Sequence, residues 1–272
     1  MSVRGTVGVF AVIVMAAIAL PASVANGSNG VRSVSRTENA AAAQRWTTQQ
    51  QSATATAPGP GVPTVGALFT VDANGLTGHY CTASVVDSPE GDLVLTAAHC
   101  INDNGVYRTD IVFVPGYHDG QDPYGVWTPS ELVVDPRWIS NADQDLDFGF
   151  LVVHRQGSTE SVQQAVGGNR LGTNLGFNLP VRVTGYPDDT EQPTTCDTVS
   201  HQAARYQLRF DCGYFPDGTS GGPWVTDIDP ATGAGTVVGV IGGYEEGGNT
   251  PQVSYSSYFD DDINRLYDTA IG

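Results

Sequence analysis

Phe215-Pro-Asp-Gly-Thr-Ser-Gly-Gly-Pro223 sets a serine, Ser220, in a glycine-rich turn. Such a turn leaves backbone N–H groups free beside a hydroxyl. One short segment can then present a nucleophile and also hold the oxyanion that its attack creates. Gly-x-Ser-x-Gly occurs in several hydrolase types and by chance, so its meaning depends on its surroundings. Upstream lies Leu95-Thr-Ala-Ala-His-Cys100, and between the two Asp147 opens the apolar run Phe148-Gly-Phe-Leu-Val-Val153.

Chain order separates the possible Ser-His-Asp arrangements. The histidines are His79, His99, His118, His154 and His201, and all precede Ser220. The α/β-hydrolase order, with histidine last, is therefore excluded. The subtilisin order needs an aspartate before His99; Asp72, Asp87 and Asp92 are formally available, but nothing else supports them. The remaining order is met by His99, Asp147 and Ser220. The chain contains no lysine, and all 12 basic residues are arginine. That excludes Ser-Lys dyads, the Ser-x-x-Lys lactamase site and Schiff-base chemistry.

Leu95–Cys100 and Gly218-Thr-Ser-Gly-Gly-Pro223 resemble the histidine and serine motifs of the trypsin/chymotrypsin-like serine proteases. Cys-Thr-Ala-Ser84, after the short run Thr-Val-Gly-Ala-Leu-Phe69, resembles the secreted bacterial branch that includes the glutamyl endopeptidases. The resemblance covers roughly residues 62–272. It implies an all-β fold of two antiparallel six-stranded β-barrels with a C-terminal helix, the site lying in the cleft between barrels. It also implies catalytic roles for His99, Asp147 and Ser220, and an oxyanion hole from the backbone N–H groups of Gly218 and Ser220. Asp145 is the rival of Asp147, and Asp143 reads as a solvated loop residue. One position departs from the trypsin pattern. Trypsin-like enzymes have an aspartate just before the nucleophile that pairs with a newly cut N-terminus, and this chain has Thr219 there. The expectation is a site that forms without that switch.

By the same resemblance the floor of the substrate pocket falls at Tyr214, and its wall at Gly239-Val-Ile-Gly-Gly-Tyr244. Tyr214 is not the acid that arginine or lysine cleavage would want. Ile241 stands where glutamyl endopeptidases use a histidine, so glutamate cleavage is unsupported as well. Gly242 and Gly243 are expected to leave the wall open, with Tyr244 lining or blocking its mouth. Tyr214 and Tyr244 read equally well as barrel packing residues.

Residues 1–25 read as a secretory signal: Arg4, then an apolar stretch of 14 residues from Val7 to Leu20, then small residues at Ser23-Val-Ala25. The apolar stretch is short of the ~18 residues a membrane span needs. Residues 26–61 are rich in Ala, Ser, Thr, Gln, Gly and Pro and read as a flexible leader or pro-segment. The catalytic domain is expected over 62–272, with barrel one to about 158, barrel two over about 159–260 and a helix over about 261–270.

Four cysteines in an exported chain imply two disulfides, for which three pairings exist. The sequence-local pairs Cys81–Cys100 and Cys196–Cys212 are favoured, and the first has the 19-residue spacing of the family's first disulfide. Residues 62–272 hold 8 arginines and 28 acidic residues, a net charge of −20. Such a surface repels nucleic acid and anionic membranes and favours solubility.

Short β-rich runs punctuated by Gly, Pro and Asp continue from Val62 onward. They predict strands at Gly66–Thr70, Cys81–Val86, Leu93–Ala97, Ile111–Val114, Phe148–Val153, Val181–Gly185, Gln207–Phe210, Thr236–Gly242 and Val253–Tyr258. Helical periodicity appears only at Ile263, Leu266, Tyr267 and Ala270, with Asp260 or Asp261 as its cap. His79 reads as structural support near the cleft, and His118 as exposed. Asp260–Asp262 and Asp227-Ile-Asp229 read as solvated acids before they read as calcium ligands. No metal and no cofactor is called for.

These features describe a monomeric, secreted, extracellular serine endopeptidase acting on polypeptides, with no stable membrane association after signal removal. The rival readings are an inactive protease-like binding protein and an esterase on the same fold.

Overall fold

The computed structural model describes residues 61–272, so the signal and most of the leader lie outside the described residues. The first barrel is built from β1 (Val65–Asp72), β2 (Gly75–Val85), β3 (Leu93–Thr96), β4 (Ile111–Pro115), β5 (Thr128–Val134) and β6 (Gly149–His154). They form one antiparallel sheet in the order β4-β1-β2-β3-β6-β5. Its two edges meet at Phe113 and Trp127, whose backbones exchange hydrogen bonds of 2.8 and 2.9 Å. That contact closes the sheet and removes free edges that would otherwise template aggregation. Leu68, Ala83, Val85, Val94, Phe113, Trp127, Leu151 and Val153 pack as its buried core.

The second barrel holds β7 (Pro180–Gly185), β8 (Thr194–Val199), β9 (His201–Ala204), β10 (Gln207–Asp211), β11 (Pro223–Thr226), β12 (Thr236–Val240) and β13 (Val253–Ser257). One sheet runs β8-β7-β11-β12, with a short parallel strand at Arg170–Leu171 beyond β12; the other runs β9-β10-β13. Gly242 N–H donates to Tyr255 O at 3.0 Å, carrying the β12 side onto β13. Trp224, Phe210, Phe215, Leu208, Val183 and Ile241 fill the interior. The rings of Phe210 and Trp224 meet edge to face at 4.8 Å.

Three further helices matter here. α1 (Ala98–Ile101) follows β3, α2 (Pro136–Asn141) follows β5, and the C-terminal α3 (Asp261–Ile271) packs Ile263, Leu266 and Ala270 into a core shared with Phe148, Phe150, Val237 and Val240. Asp260 caps α3 by accepting from Asp262 N–H at 2.8 Å. The fold is all-β apart from these helices, a short helix at Val162–Val166 and two 3-10 turns among the described residues.

Two disulfides are formed, Cys81–Cys100 and Cys196–Cys212, with Cα–Cα distances of 6.1 and 6.6 Å. The first joins β2 to α1, and the second ties the β8 side to the end of β10. Among the described residues no helix is long and apolar enough to cross a membrane.

Candidate active site

His99 sits on α1, one turn of helix that starts where β3 ends. Ala97 is extended (φ −75°, ψ 149°), so the chain leaves the strand and turns at once, and Cys100 anchors the turn to β2. Asp147 follows a single 3-10 turn, Gln144–Leu146, and enters β6. Asp143 caps that turn by accepting from Asp145 N–H, so it has a structural place rather than being a free loop residue. Asp145 points to Gln207, whose amide donates to its Oδ1 at 2.7 Å. The β6 entry thus brings Asp147, not Asp145, to His99.

The Asp147 carboxylate is fully buried and fully engaged. Its Oδ1 accepts from His99 backbone N–H at 3.0 Å. Its Oδ2 accepts from His99 Nδ1 at 2.8 Å and from Gly243 N–H at 2.8 Å. The Asp147 N–H donates to Ser257 Oγ at 3.1 Å, and that hydroxyl donates to Gln144 O at 2.9 Å. An ionised carboxylate only accepts, so the Nδ1 of His99 carries the proton. In the neutral ring Nε2 then holds the lone pair. Burial pushes the His99 pKa down, but the charge and hydrogen bond of Asp147, helped by the charge of Glu246, hold it above its ordinary value. The ring is thereby set to take up a proton.

Gly242 and Gly243, expected as an open pocket wall, pack on this carboxylate instead. A Cβ on Gly242 would lie 2.9 Å from Asp147 Oδ2 and 3.3 Å from the Cβ of Ala97. Gly243 has φ +76°, and a Cβ there would meet the Gln207 amide oxygen and lie 2.8 Å from Ser257 N. Both positions need glycine because the backbone itself approaches the buried acid.

The Ser220 turn is equally constrained. Gly218 has φ +89°, and a Cβ there would press on Asp188 N and lie 2.6 Å from Tyr186 O. Gly221 has φ +80°, with Thr82 O, Thr96 Oγ1 and Ala97 N occupying the Cβ position. The turn is therefore held against the β3–α1 junction, two residues from His99. Thr219 is buried and its hydroxyl donates to Pro216 O at 2.6 Å. Neither Gly218 N–H nor Ser220 N–H bonds another described residue. Among the described residues these two donors beside the serine hydroxyl are thus unclaimed.

Ser220 Oγ makes a single hydrogen bond among the described residues, to Glu246 O at 3.5 Å, and none to His99. Glu246 lies in a tight turn in which Glu245 and Glu246 both adopt left-handed conformations, φ 53° and 54°. Non-glycine residues held there cost about 1–3 kcal/mol each, and such strain concentrates at functional sites. Tyr244 is exposed at the mouth of this turn, its ring edge-on to Tyr255 at 5.2 Å. Tyr214 is also exposed and donates to Asp189 Oδ2 at 2.5 Å, so it stands at the rim rather than being sealed in the barrel.

The remaining candidates have structural partners. His79 is buried and bonds Thr190 O at 3.0 Å through Nε2. His118 is partly buried, its Nδ1 2.9 Å from Gly116 O. Asp262 pairs with Arg137 and Arg265, and Asp229 accepts from Ala231 N–H. Among the described residues the metal-ligand geometry occurs only at Cys81, His99 and Cys100, and the disulfide takes both of those sulfurs out of ligation. Sequence reasoning missed Thr82, Ser257 and Glu246. Their contacts span up to 138 residues of chain, and no local pattern marks them.

Two closed β-barrels, a buried Asp–His pair and a serine in a glycine turn define a class of hydrolase. The family model described as Trypsin matches residues 54–260. The chain belongs to the trypsin family, and it is a serine endopeptidase by class. Among solved structures it is similar to the protease Anisep from Arthrobacter nicotinovorans, with 26% identity and a TM-score of 0.68 over 79% of this chain and 98% of that one. It is also similar to the thermostable serine protease AL20 from an extremophilic microorganism, with 27% identity and a TM-score of 0.66 over 77% and 97%. A Glu endopeptidase solved with MPD shares the fold at 13% identity, TM-score 0.61, over 81% and 98%. Among curated proteins no sequence matches this chain.

Proposed function

We propose that this chain is an exported endopeptidase that cleaves polypeptides through an acyl-enzyme. Ser220 is the nucleophile and His99 the base. Asp147 fixes the ring, and the N–H groups of Gly218 and Ser220 hold the oxyanion. The observation that carries this reading is the two-point contact of His99 with the buried Asp147, which leaves Nε2 as the open ring nitrogen. The N–H groups on either side of Thr219, unclaimed among the described residues, support the same reading.

In the first half-reaction His99 Nε2 takes the Ser220 hydroxyl proton as Oγ bonds the scissile carbonyl carbon. The carbonyl oxygen becomes an oxyanion beside the two N–H groups. The C–N bond then breaks, and the proton passes from Nε2 to the leaving amine. Water completes the cycle: its proton goes to Nε2, its oxygen bonds the acyl carbon, and the acyl C–Oγ bond breaks as Ser220 Oγ recovers the proton from Nε2. Asp147 stays ionised and stabilises the imidazolium at each passage.

For attack the Ser220 side chain leaves Glu246 O and turns to His99. A 3.5 Å bond at the outer limit of hydrogen bonding offers little resistance to a side-chain rotation. Thr219 supports a site that is independent of a terminal ion pair, since its hydroxyl is satisfied within its own turn. The apolar stretch Val7–Leu20 and the two disulfides support export.

A fluorophosphonate probe tests the nucleophile. Labelling is expected at Ser220, absent in Ser220→Ala and slowed by about a hundredfold or more in His99→Ala. Equal labelling of Ser220→Ala overturns the assignment.

A further inference from the structure

Thr82 lies in β2 directly after Cys81, is fully buried, and belongs to the first barrel. All its polar groups are engaged, and three of its four hydrogen bonds reach the second barrel. Its N–H donates to Ser220 O at 2.7 Å. Its hydroxyl donates to Gly218 O at 3.1 Å and accepts from Tyr186 N–H at 2.8 Å. Its carbonyl accepts from Thr96 Oγ1 at 2.7 Å, on the strand that leads to His99.

The carbonyl groups that Thr82 grips belong to the two residues whose N–H groups flank the reacting carbonyl. A peptide plane is rigid, so fixing the oxygen of Gly218 fixes the plane between Gly218 and Thr219. Holding the oxygen of Ser220 fixes the plane between Ser220 and Gly221. The N–H groups of Gly218 and Ser220 lie in the planes next to these, joined to the held planes through the Cα atoms of Gly218, Thr219 and Ser220, so they are constrained from both sides of the turn. Tyr186 backs the same turn, since its carbonyl oxygen takes the space a Cβ on Gly218 would need. The Cys81–Cys100 disulfide beside Thr82 refers the whole arrangement to His99. The three hydrogen bonds to its hydroxyl and carbonyl oxygens are buried, and no charged side chain takes part.

We propose that Thr82 is a positioning residue for the reaction: one side chain in the first barrel sets the oxyanion turn of the second barrel at its working distance from His99. This inference rests on the oxyanion role of Gly218 and Ser220 given above. The hydroxyl is the essential part, because it alone bridges Gly218 and Tyr186. Removing it leaves a buried carbonyl and a buried N–H unpaired, and the turn relaxes to satisfy them. Small displacements at a reacting centre are expensive in rate: about a hundredfold for an error near 1 Å.

Three variants test this. Thr82→Val keeps shape and removes the hydroxyl; Thr82→Ser restores the hydroxyl without the methyl; Ser220→Ala is the null. Each is assayed for kcat and KM on a cleaved peptide. Each is also measured for binding of a peptide aldehyde and of the matching alcohol. Only the aldehyde forms an oxyanion on Ser220, so the ratio of the two affinities isolates the oxyanion hole from the rest of the cleft. For Thr82→Val the expectation is a fall in kcat of about tenfold to a hundredfold at nearly constant KM. The aldehyde should weaken by a similar factor and the alcohol hardly at all. Thr82→Ser should recover most of both.

Equal losses for aldehyde and alcohol, or a Thr82→Val enzyme with wild-type kcat, overturn the proposal. Failure of Thr82→Ser to recover activity overturns it too. If Thr82→Val does not fold, Thr82→Ala carries the same comparison. Activity surviving in Ser220→Ala would instead refute the underlying site, a result distinct from any of these.

Discussion

Gly243 N–H donates to the same carboxylate oxygen of Asp147 that His99 Nδ1 reaches, each at 2.8 Å. The Asp147 carboxylate is thus gripped from the second barrel while it grips a histidine in the first. The glycine pair that looks in sequence like an open pocket wall is part of the machinery holding Asp147.

Gly242→Ala places a methyl 2.9 Å from Asp147 Oδ2 without a positive-φ penalty. It should displace the carboxylate and lower kcat by tenfold or more, about the factor that small misplacements cause, with KM little changed. Steady-state kinetics on one peptide check this, and an unchanged kcat would show that Gly242 only fills space.

Asp147→Asn removes the acceptor that fixes the His99 tautomer. A fall in kcat of about 10⁴ is expected while the melting temperature changes far less, because the shape is kept. Asp145→Asn, which touches only the Gln207 amide, should leave kcat within a few-fold. The pair of variants decides between the two acids.

The acidic limb of the pH–rate profile reports His99 losing its proton. Glu246 is among the charges that raise its pKa, so Glu246→Gln should move the limb to lower pH, the neutral base appearing sooner. The same shift bears on stability. Because the folded-state pKa is raised, the contribution of His99 is present in full below the unfolded value. It is lost as pH rises through the folded value. A limb that stays in place in Glu246→Gln would deny the carboxylate that influence.

Replacing both Cys81 and Cys100 by serine opens a short loop beside the base. A cost of about 3 kcal/mol is expected on a chain-entropy estimate, read by denaturant melts. Activity should fall more than stability predicts, because α1 loses its anchor to β2. Activity that falls only in step with stability would remove that distinction.

Thr219 has no charge to offer a new N-terminus, so proteins beginning at different residues between 26 and 66 should share one specific activity. Activity confined to a single exact terminus would reinstate a terminal switch.

Much of this was legible in the sequence. The nine strands read from apolar runs all exist, because each buries a continuous side against a barrel core, though β2 begins six residues before the expected Cys81, its residues 75–78 being exposed and without an apolar run to mark them. Asp260 and the Ile263, Leu266, Ala270 stripe announced the last helix. β5 escaped notice because Thr128-Pro-Ser-Glu131 is polar and exposed, only Val133 and Val134 being buried. β9 escaped for a plainer reason: His201–Ala204 is exposed throughout and pairs only as a hairpin arm. The His99, Asp147 and Ser220 candidates stood out through local motifs. Thr82 did not, and Gly242 stood out only as pocket wall and not as a neighbour of Asp147, since these contacts depend on how two barrels meet, and a threonine after a cysteine carries no signature by itself.

The most direct test is a peptide-library digest read by mass spectrometry, run side by side with purified wild-type protein and Ser220→Ala. Defined cleavages made by the first and absent from the second are the predicted result, and they give the residue preferred before the cut. Identical cleavage by both would contradict the serine mechanism. Silence from a correctly disulfide-bonded wild-type protein would make the chain a binding protein on a protease fold.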